Sequence, residues 1–265
     1  MNRAVSALIK RLTDVRFSKA EIIPWSCPVP SFGDLLKAKV ATLGLNPSNR
    51  EFVDRSGSEL VGTARRFHTL GSLGLGCWSD AKRHHVELIL ESCRTYFLRN
   101  PYDAWFKQLD YLIGETRASY YGTAEGACHL DLVPYATTCK WTGLSQRQRS
   151  FLFSVAGDTL GLLLRDSPVR LLVLNGRSVV ANFERAAGVK LHGQVMGEWE
   201  LRRGSQPNVT GVAYNGAISH LSGVPLRHKL RVIGFNHNIQ SSFGVTREVR
   251  ASIRSWIGRT VGSLS

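Results

Sequence analysis

The residues of this 265-residue chain with the most chemical potential sit in four short polar stretches, each at the end of an aliphatic run. Gly44-Leu45-Asn46-Pro47-Ser48 ends Val40–Leu45, and Asp131-Leu132-Val133-Pro134 ends Ala127–Val133. Asn175-Gly176 follows Val169–Leu174, and Asn236-His237-Asn238-Ile239-Gln240-Ser241-Ser242 follows Leu230–Phe235. Amides, a carboxylate and an imidazole are groups that place a water, stabilise a developing anion or read a polar ring edge. Each stretch also has a purely structural reading. Asn-Pro-Ser favours turns, a strand-end Asp caps a loop or pairs with Arg, and His237 and Asn238 suit backbone capping. The chemistry gains weight from the order, since all four stretches end the same kind of element.

Those elements are predicted from hydrophobic pattern. Short aliphatic runs that stop at turn residues, without alternation, read as buried parallel strands. Between them lie helical stripes. Val86, Ile89, Leu90, Cys93 and Phe97 follow a cap at Ser79 or Asp80, and Trp105, Leu109, Leu112 and Ile113 follow Asn100-Pro101. Ser145–Leu164 reads as a third helix, and Thr246–Ile257 as a last one with Val249, Ile253, Trp256 and Ile257 on one face. Met1–Lys19 reads as a short amphipathic helix opening an N-terminal helical extension over residues 1–35. The expectation is an α/β fold, three layers (α/β/α) around a central four-stranded parallel sheet, forming one domain over residues 1–265. Chemistry belongs at the carboxyl ends of such strands. Leu191–Gly223 is expected to be an inserted β-hairpin, with Val195, Trp199 and Leu201 on one arm, Val209, Val212 and Tyr214 on the other, and Arg202-Arg203-Gly204 near its turn. Asn49–Asp80 is a long Gly- and Arg-rich loop, expected to be functional.

Composition narrows the partner. Thirty-four Lys and Arg against 20 Asp and Glu give a formal charge of +14, while 43% hydrophobic and 20% charged residues describe a folded chain. A basic folded surface points first to nucleic acid, with an anionic membrane surface as a second partner and plain solubility as the alternative to both. No run approaches the ~18 apolar residues of a membrane span, and Lys10 and Arg11 break any signal-peptide core, so a cytoplasmic monomer without a membrane partner is expected. Five cysteines without C-x-x-C indicate reduced thiols, mostly buried. His84-His85 near Glu87 lacks zinc-site spacing and reads as a solvated helix face, so neither metal nor other cofactor is expected. Gly71–Gly76 lacks the ending of a phosphate loop, and no G-x-S-x-G marks a serine hydrolase.

The first and last stretches together resemble the uracil-DNA glycosylase superfamily. Its water-positioning motif has the form G-x-[DN]-P-[YG] after strand one, and its base- and backbone-clamping motif is [HN]-P-S after the last strand. Gly44–Ser48 is similar to the Asn-bearing form of the mismatch-specific and single-strand-selective branches. Asn238-Ile239-Gln240 stands where Asn-Pro-Ser is usual, with His237 one place away from the expected His. The resemblance spans Val40 to Ile257 and implies a monofunctional DNA glycosylase. Asn46 would hold the attacking water, and Asn238 or His237 would donate to the leaving base. No lysine occupies these motifs, so strand cleavage through a Schiff base is not expected. Some branches hold an iron–sulfur cluster with four cysteines; Cys77-x₁₅-Cys93 matches half of that pattern, the N-terminal C-x-x-C is missing, and no cluster is expected.

The substrate is read from departures. By that resemblance, Asp131, two residues before Val133-Pro134, stands where the single-strand-selective branch has an Asn that reads uracil. An ionised carboxylate only accepts, so it suits the N4 amino group of cytosine and faces uracil O4 lone pair to lone pair. Ser48 replaces the Tyr that closes the space beside pyrimidine C5 in strict uracil enzymes. Excision of plain cytosine would destroy the host's own DNA. The expected substrate is therefore a 5-modified cytosine, hydroxymethylated or glucosylated, with a role in defence against phage carrying modified DNA. Phe67 is the candidate to stack on the flipped base, against a core role. Phe243 is the candidate wedge, against an anchoring role. Arg65, Arg66, Arg202, Arg203 and Arg247, with Gln240 and Ser241, are expected at the DNA. Uracil or mismatch repair, and a non-catalytic DNA-binding protein on the same fold, are the alternatives.

Overall fold

Val40–Leu43, Cys128–Leu130 and Leu171–Leu174 are aliphatic apart from Thr42, Cys128 and His129, and the structure buries both sides of each. The computed structural model describes residues 1–99, 103–122, 125–204 and 206–262. Seven strands form one sheet: β1 (Ala38–Gly44), β2 (Ala118–Ser119), β3 (Glu125–Asp131), β4 (Leu171–Asn175), β5 (His192–Arg203), β6 (Gln206–Leu221) and β7 (Val224–Phe235). Their order is β2-β3-β1-β4-β7-β6-β5. The first five in that order are parallel, and β6 and β5 continue the sheet antiparallel.

Eight helices accompany the sheet among the described residues: α1 (Asn2–Arg11), α2 (Arg83–Arg94), α3 (Tyr96–Arg99), α4 (Asp103–Ile113), α5 (Gln146–Ala156), α6 (Thr159–Arg165), α7 (Arg177–Ala187) and α8 (Arg247–Gly262). Val40, Leu171 and Val173 face one core with Ile89 of α2, Leu112 of α4 and Ile253 of α8. Ala41, Leu43, Leu172 and Leu174 face the other with Leu163 of α6 and Phe183 of α7. Strand alternation thus divides one aliphatic run between two covered faces.

The four-stranded expectation is corrected by β2, a fifth parallel strand at the edge, and by β5 and β6. Leu191–Gly223 does form antiparallel arms, but β6 also pairs with β7 from Ala213 to Leu221, so the hairpin extends the sheet rather than standing apart from it. The earlier half of β7 alternates exposed and half-buried residues around Arg227, His228 and Lys229, which hid it from a search for aliphatic runs. A bulge between Met196 and Leu201 turns Met196, Trp199 and Leu201 inward and leaves Val195 68% exposed, contrary to the single face expected for that arm.

Several helix boundaries also move. Trp78–Asp80 is a 3-10 turn, and α2 starts at Arg83, where His85 Nδ1 accepts from Lys82 N at 2.9 Å. His85 is therefore a buried cap and not part of a solvated face. Ser145–Leu164 divides into α5 and α6 because Gly157 takes φ +53°, a conformation that ends α5. The N-terminal helix stops at Arg11, a 3-10 turn covers Val15–Ala20, and residues 21–35 are not helical. Asn100 and Pro101 lie outside the described residues. All five cysteines are free, with Cys27, Cys93 and Cys128 buried. Among the described residues, no helix is long and apolar enough to cross a membrane.

Candidate functional site

The chain leaves β1 for β3 on one side and returns to β4 on the other. Such a reversal opens a crevice at the carboxyl ends of the strands. A cleft of about 930 Å³ lies there, lined by Asn46, Ser48, Asp131, Asn175, Asn236 and Asn238 from the four polar stretches. Glu51, Phe32, Trp105, Phe106, His129 and Thr137 complete its inner surface.

Two asparagine amides are locked in opposite senses. Asn46 Nδ2 donates to Thr137 Oγ1 and Pro47 O, both at 3.1 Å, and to Tyr135 O at 3.4 Å. Thr137 spends its own proton on Cys139 O at 2.7 Å, so its oxygen must accept from Asn46 and the amide has one orientation. Asn46 Oδ1, which has no donor among the described residues, is left to accept from a ligand or water. Asn238 is the converse. Its Oδ1 accepts from Gln240 N at 3.1 Å and Ser241 N at 3.2 Å, which leaves Nδ2 to donate. The cleft thus carries a fixed acceptor after β1 and a fixed donor after β7.

Asp131 forms the floor. Its side chain is 3% exposed and accepts no hydrogen bond among the described residues; its nearest ionic neighbour is His129 Nε2 at 3.5 Å from Oδ1. His129 Nδ1 lies 2.7 Å from Thr42 Oγ1, which lies 2.5 Å from Tyr120 OH. Burial raises the Tyr120 phenol well above its ordinary pKa, so it remains a donor at the far end of this chain. When Tyr120 donates to Thr42 and Thr42 to His129 Nδ1, the ring proton sits on Nε2 and faces Asp131. The carboxylate keeps open acceptor positions in a buried place, a costly state unless a ligand donor meets them. Gly44 makes this arrangement possible, because a Cβ there would overlap Asp131 Oδ1 and come within 2.9 Å of His129 Nε2.

The loop that carries Asn238 is clasped from two sides. Buried Asn175 donates from Nδ2 to Gln240 Oε1 at 2.7 Å and accepts from Ile239 N at 3.2 Å. Gln240 also donates to Trp105 O at 3.4 Å, so both ends of the amide expected at the DNA serve the loop instead. His237 is 1% exposed, does not line the cleft, and lies with Nε2 2.7 Å from Trp199 O of β5. Burial holds its pKa below the ordinary histidine value, so neutral His237 donates to that carbonyl. Of the two residues expected to donate to a leaving base, only Asn238 lines the cleft. Asn236 joins the brace, accepting from Val212 N and donating to Thr210 O, both at 2.8 Å. The β5–β6 hairpin thus supports the last loop, a role its sequence did not disclose.

Phe67 is corrected as a base-stacking ring. It is 1% exposed and stacked on Tyr96 at 5.2 Å and 15°, in the core behind the cleft. Phe32, Trp105 and Phe106 are aromatic residues at the cleft itself. Ser48 lines the cleft and caps the following 3-10 turn by accepting from Arg50 N at 3.2 Å. Ser241 lines it as well, and Phe243, two residues on, is 74% exposed. Arg66 turns toward buried Glu51 at 3.8 Å and donates to Arg50 O, while Arg65 accepts at its carbonyl from Arg99. Arg65, Arg66, Arg202, Arg203 and Arg247 do not line the cleft. Lys140, Arg149, Arg177 and Arg185 do, and among the described residues none of these four is ion-paired. Lys140, Arg177 and Arg185 are exposed, whereas Arg149 is half-buried with Nη2 donating to Thr142 O and Leu144 O; all four were missed because no motif marks them.

Among the described residues, no three His, Cys, Asp or Glu side chains gather into a group able to hold a metal. No protein-family model matches the chain, and no curated protein matches it.

Proposed function

We propose that this protein is a monofunctional DNA glycosylase that flips a 5-modified cytosine into the cleft and hydrolyses its bond to the sugar, leaving an abasic site. The observation that carries the proposal is the pair of opposed amides, Asn46 with its oxygen free and Asn238 with its amino group free. Hydrolysis of a pyrimidine nucleotide breaks C1′–N1 through an oxocarbenium-like sugar and a base anion. Asn46 Oδ1 accepts from the water and aims its oxygen at C1′; as the C1′–O bond forms, the water's proton is released and the base leaves with the C1′–N1 electron pair. Asn238 Nδ2 donates to the negative charge growing on base O2. The motifs after β1 and β7 resemble those of the uracil-DNA glycosylase superfamily, which supports the same assignment.

Asp131 directs the choice of base. Its open acceptor positions suit the N4 amino group of cytosine and repel O4 of uracil. Ser48 leaves space beside C5, so the proposed substrates are hydroxymethylated or glucosylated cytosines, and the proposed role is defence against phage with modified DNA. Removing either amide should separate chemistry from binding. Asn238→Ala should lower single-turnover base release by about 10²–10³-fold, and Asn46→Ala by a comparable factor, while gel-shift affinity for the same DNA persists. Wild-type protein that binds modified DNA tightly but releases no base would make it a reader rather than an enzyme.

A further inference from the structure

Glu51 is the cleft residue that the glycosylase mechanism leaves unused. It ends the 3-10 turn Asn49–Glu51, whose cap is Ser48, so both residues reach the cleft from one short segment. Its side chain is 2% exposed. Tyr96 OH of α3 donates to Oε2 at 2.9 Å, and Arg66 Nη1 of the same long loop lies 3.8 Å from Oε2. Oε1 has no hydrogen-bond partner among the described residues. A buried carboxyl with one open oxygen, on the wall of a binding cleft and beside the position that leaves room at C5, fits a polar group attached there.

We propose that Glu51 is a specificity-determining residue that hydrogen-bonds a hydroxyl carried on the C5 substituent of the flipped cytosine. The inference rests on the glycosylase reading and adds to it the reader of the modification itself. Ser48 supplies the space, Asp131 reads the N4 amino group, and Glu51 distinguishes a hydroxyl from a bare methyl.

The titration of Glu51 gives the inference a signature. Burial, with Asp131 as a further raising influence and Arg66 and Tyr96 opposing, pushes its pKa up to about 7. Below that value the neutral carboxyl tolerates an apolar neighbour. Above it the ionised oxygen demands a donor, which a hydroxyl supplies and a methyl does not. Preference for the hydroxyl-bearing base should therefore grow as pH rises through about 7.

The test is fluorescence-anisotropy binding with Asn46→Ala protein, which holds DNA without turnover. Oligonucleotides carrying 5-hydroxymethylcytosine and 5-methylcytosine are compared at pH 6 and pH 8, with and without Glu51→Gln. Protein with Glu51 intact should prefer the hydroxymethyl base by at least about tenfold at pH 8 and by less at pH 6. With Glu51→Gln the preference should shrink and lose its pH dependence. Equal affinity for the two DNAs, or a preference unmoved by both pH and Glu51→Gln, would overturn the inference. The pH comparison with Glu51 intact decides the matter even if the Gln variant folds poorly. Base release by protein retaining Asn46, measured on the same DNAs, reports separately on the glycosylase reading: a Glu51-dependent preference without release would leave a reader of modified cytosine and remove the enzyme.

Discussion

At the scale of residues, the proposed function rests on groups whose hydrogen-bond capacity is left incomplete by their neighbours. Asn46 and Asn238 are each tied by one end of the amide, and Asp131 is buried with its acceptor positions open. Replacing Asp131 by Asn restores a donor and removes the charge. Asp131→Asn should shift preference toward uracil by about 1–3 kcal/mol, roughly 5- to 150-fold, read from single-turnover release of the two bases under one set of conditions. An unchanged ratio would assign Asp131 a structural part with His129. Glu51 predicts a pH dependence of stability with a definite sign. Its folded pKa of about 7 lies above its ordinary 4.5, so the folded state holds the extra proton between those values. Stability therefore falls as pH rises across that interval, and Glu51→Gln should flatten this fall by about 3 kcal/mol, at 1.36 kcal/mol per pH unit. Urea unfolding at pH 5 and pH 8 checks it, with the variant gaining on wild type only at the higher pH.

At the scale of elements, the strands set the site and the loops refine it. β1, β3 and β4 were legible because strands buried on both faces read as aliphatic runs, and the polar residues behind them fell where the sheet needs them. The antiparallel half of the sheet was not legible in the same way. Pairing of β6 with β7 is a register between distant residues, and alternation around Arg227 and Lys229 resembles an exposed segment. Within the site, strand-end position together with the motif resemblance singled out Asn46 and Asp131 and left Asn238 level with His237, whereas Glu51 and Thr137 lie in polar stretches whose spacing carries no period. Phe67 failed because aromatic residues in a long loop fill a core as readily as they cover a base. α7 went unread although Val179, Val180 and Phe183 share a face between Gly176 and Gly188. The loop after β7 offers the element-scale prediction. Asn175→Ala strands Gln240 Oε1 and the Ile239 N–H, so it should cost about 1–3 kcal/mol in urea unfolding and slow base release by loosening Asn238.

At the scale of the whole molecule, a charge of +14 meets a cleft whose carboxyls are buried and whose lining includes the exposed cations Lys140, Arg177 and Arg185. A strand lying across the cleft would meet these cations at its phosphates and Phe243 at the rim of the last loop. DNA affinity should fall linearly on a log–log plot against salt, and Arg177→Ala or Arg185→Ala should each reduce the slope by about one. An unchanged slope would place the strand elsewhere on the basic surface. On the proposed function, the hairpin, the clasp at Asn175 and the chain from Tyr120 to Asp131 would all serve one event, the capture and release of a single base. The direct measurement of that event is mass spectrometry of free base released by wild-type protein from DNAs carrying uracil, a thymine mismatch, cytosine, 5-hydroxymethylcytosine or its glucosylated form. Release confined to the modified cytosines, lost with Asn46→Ala, is the expected result; release of uracil alone would contradict the roles given to Asp131 and Ser48.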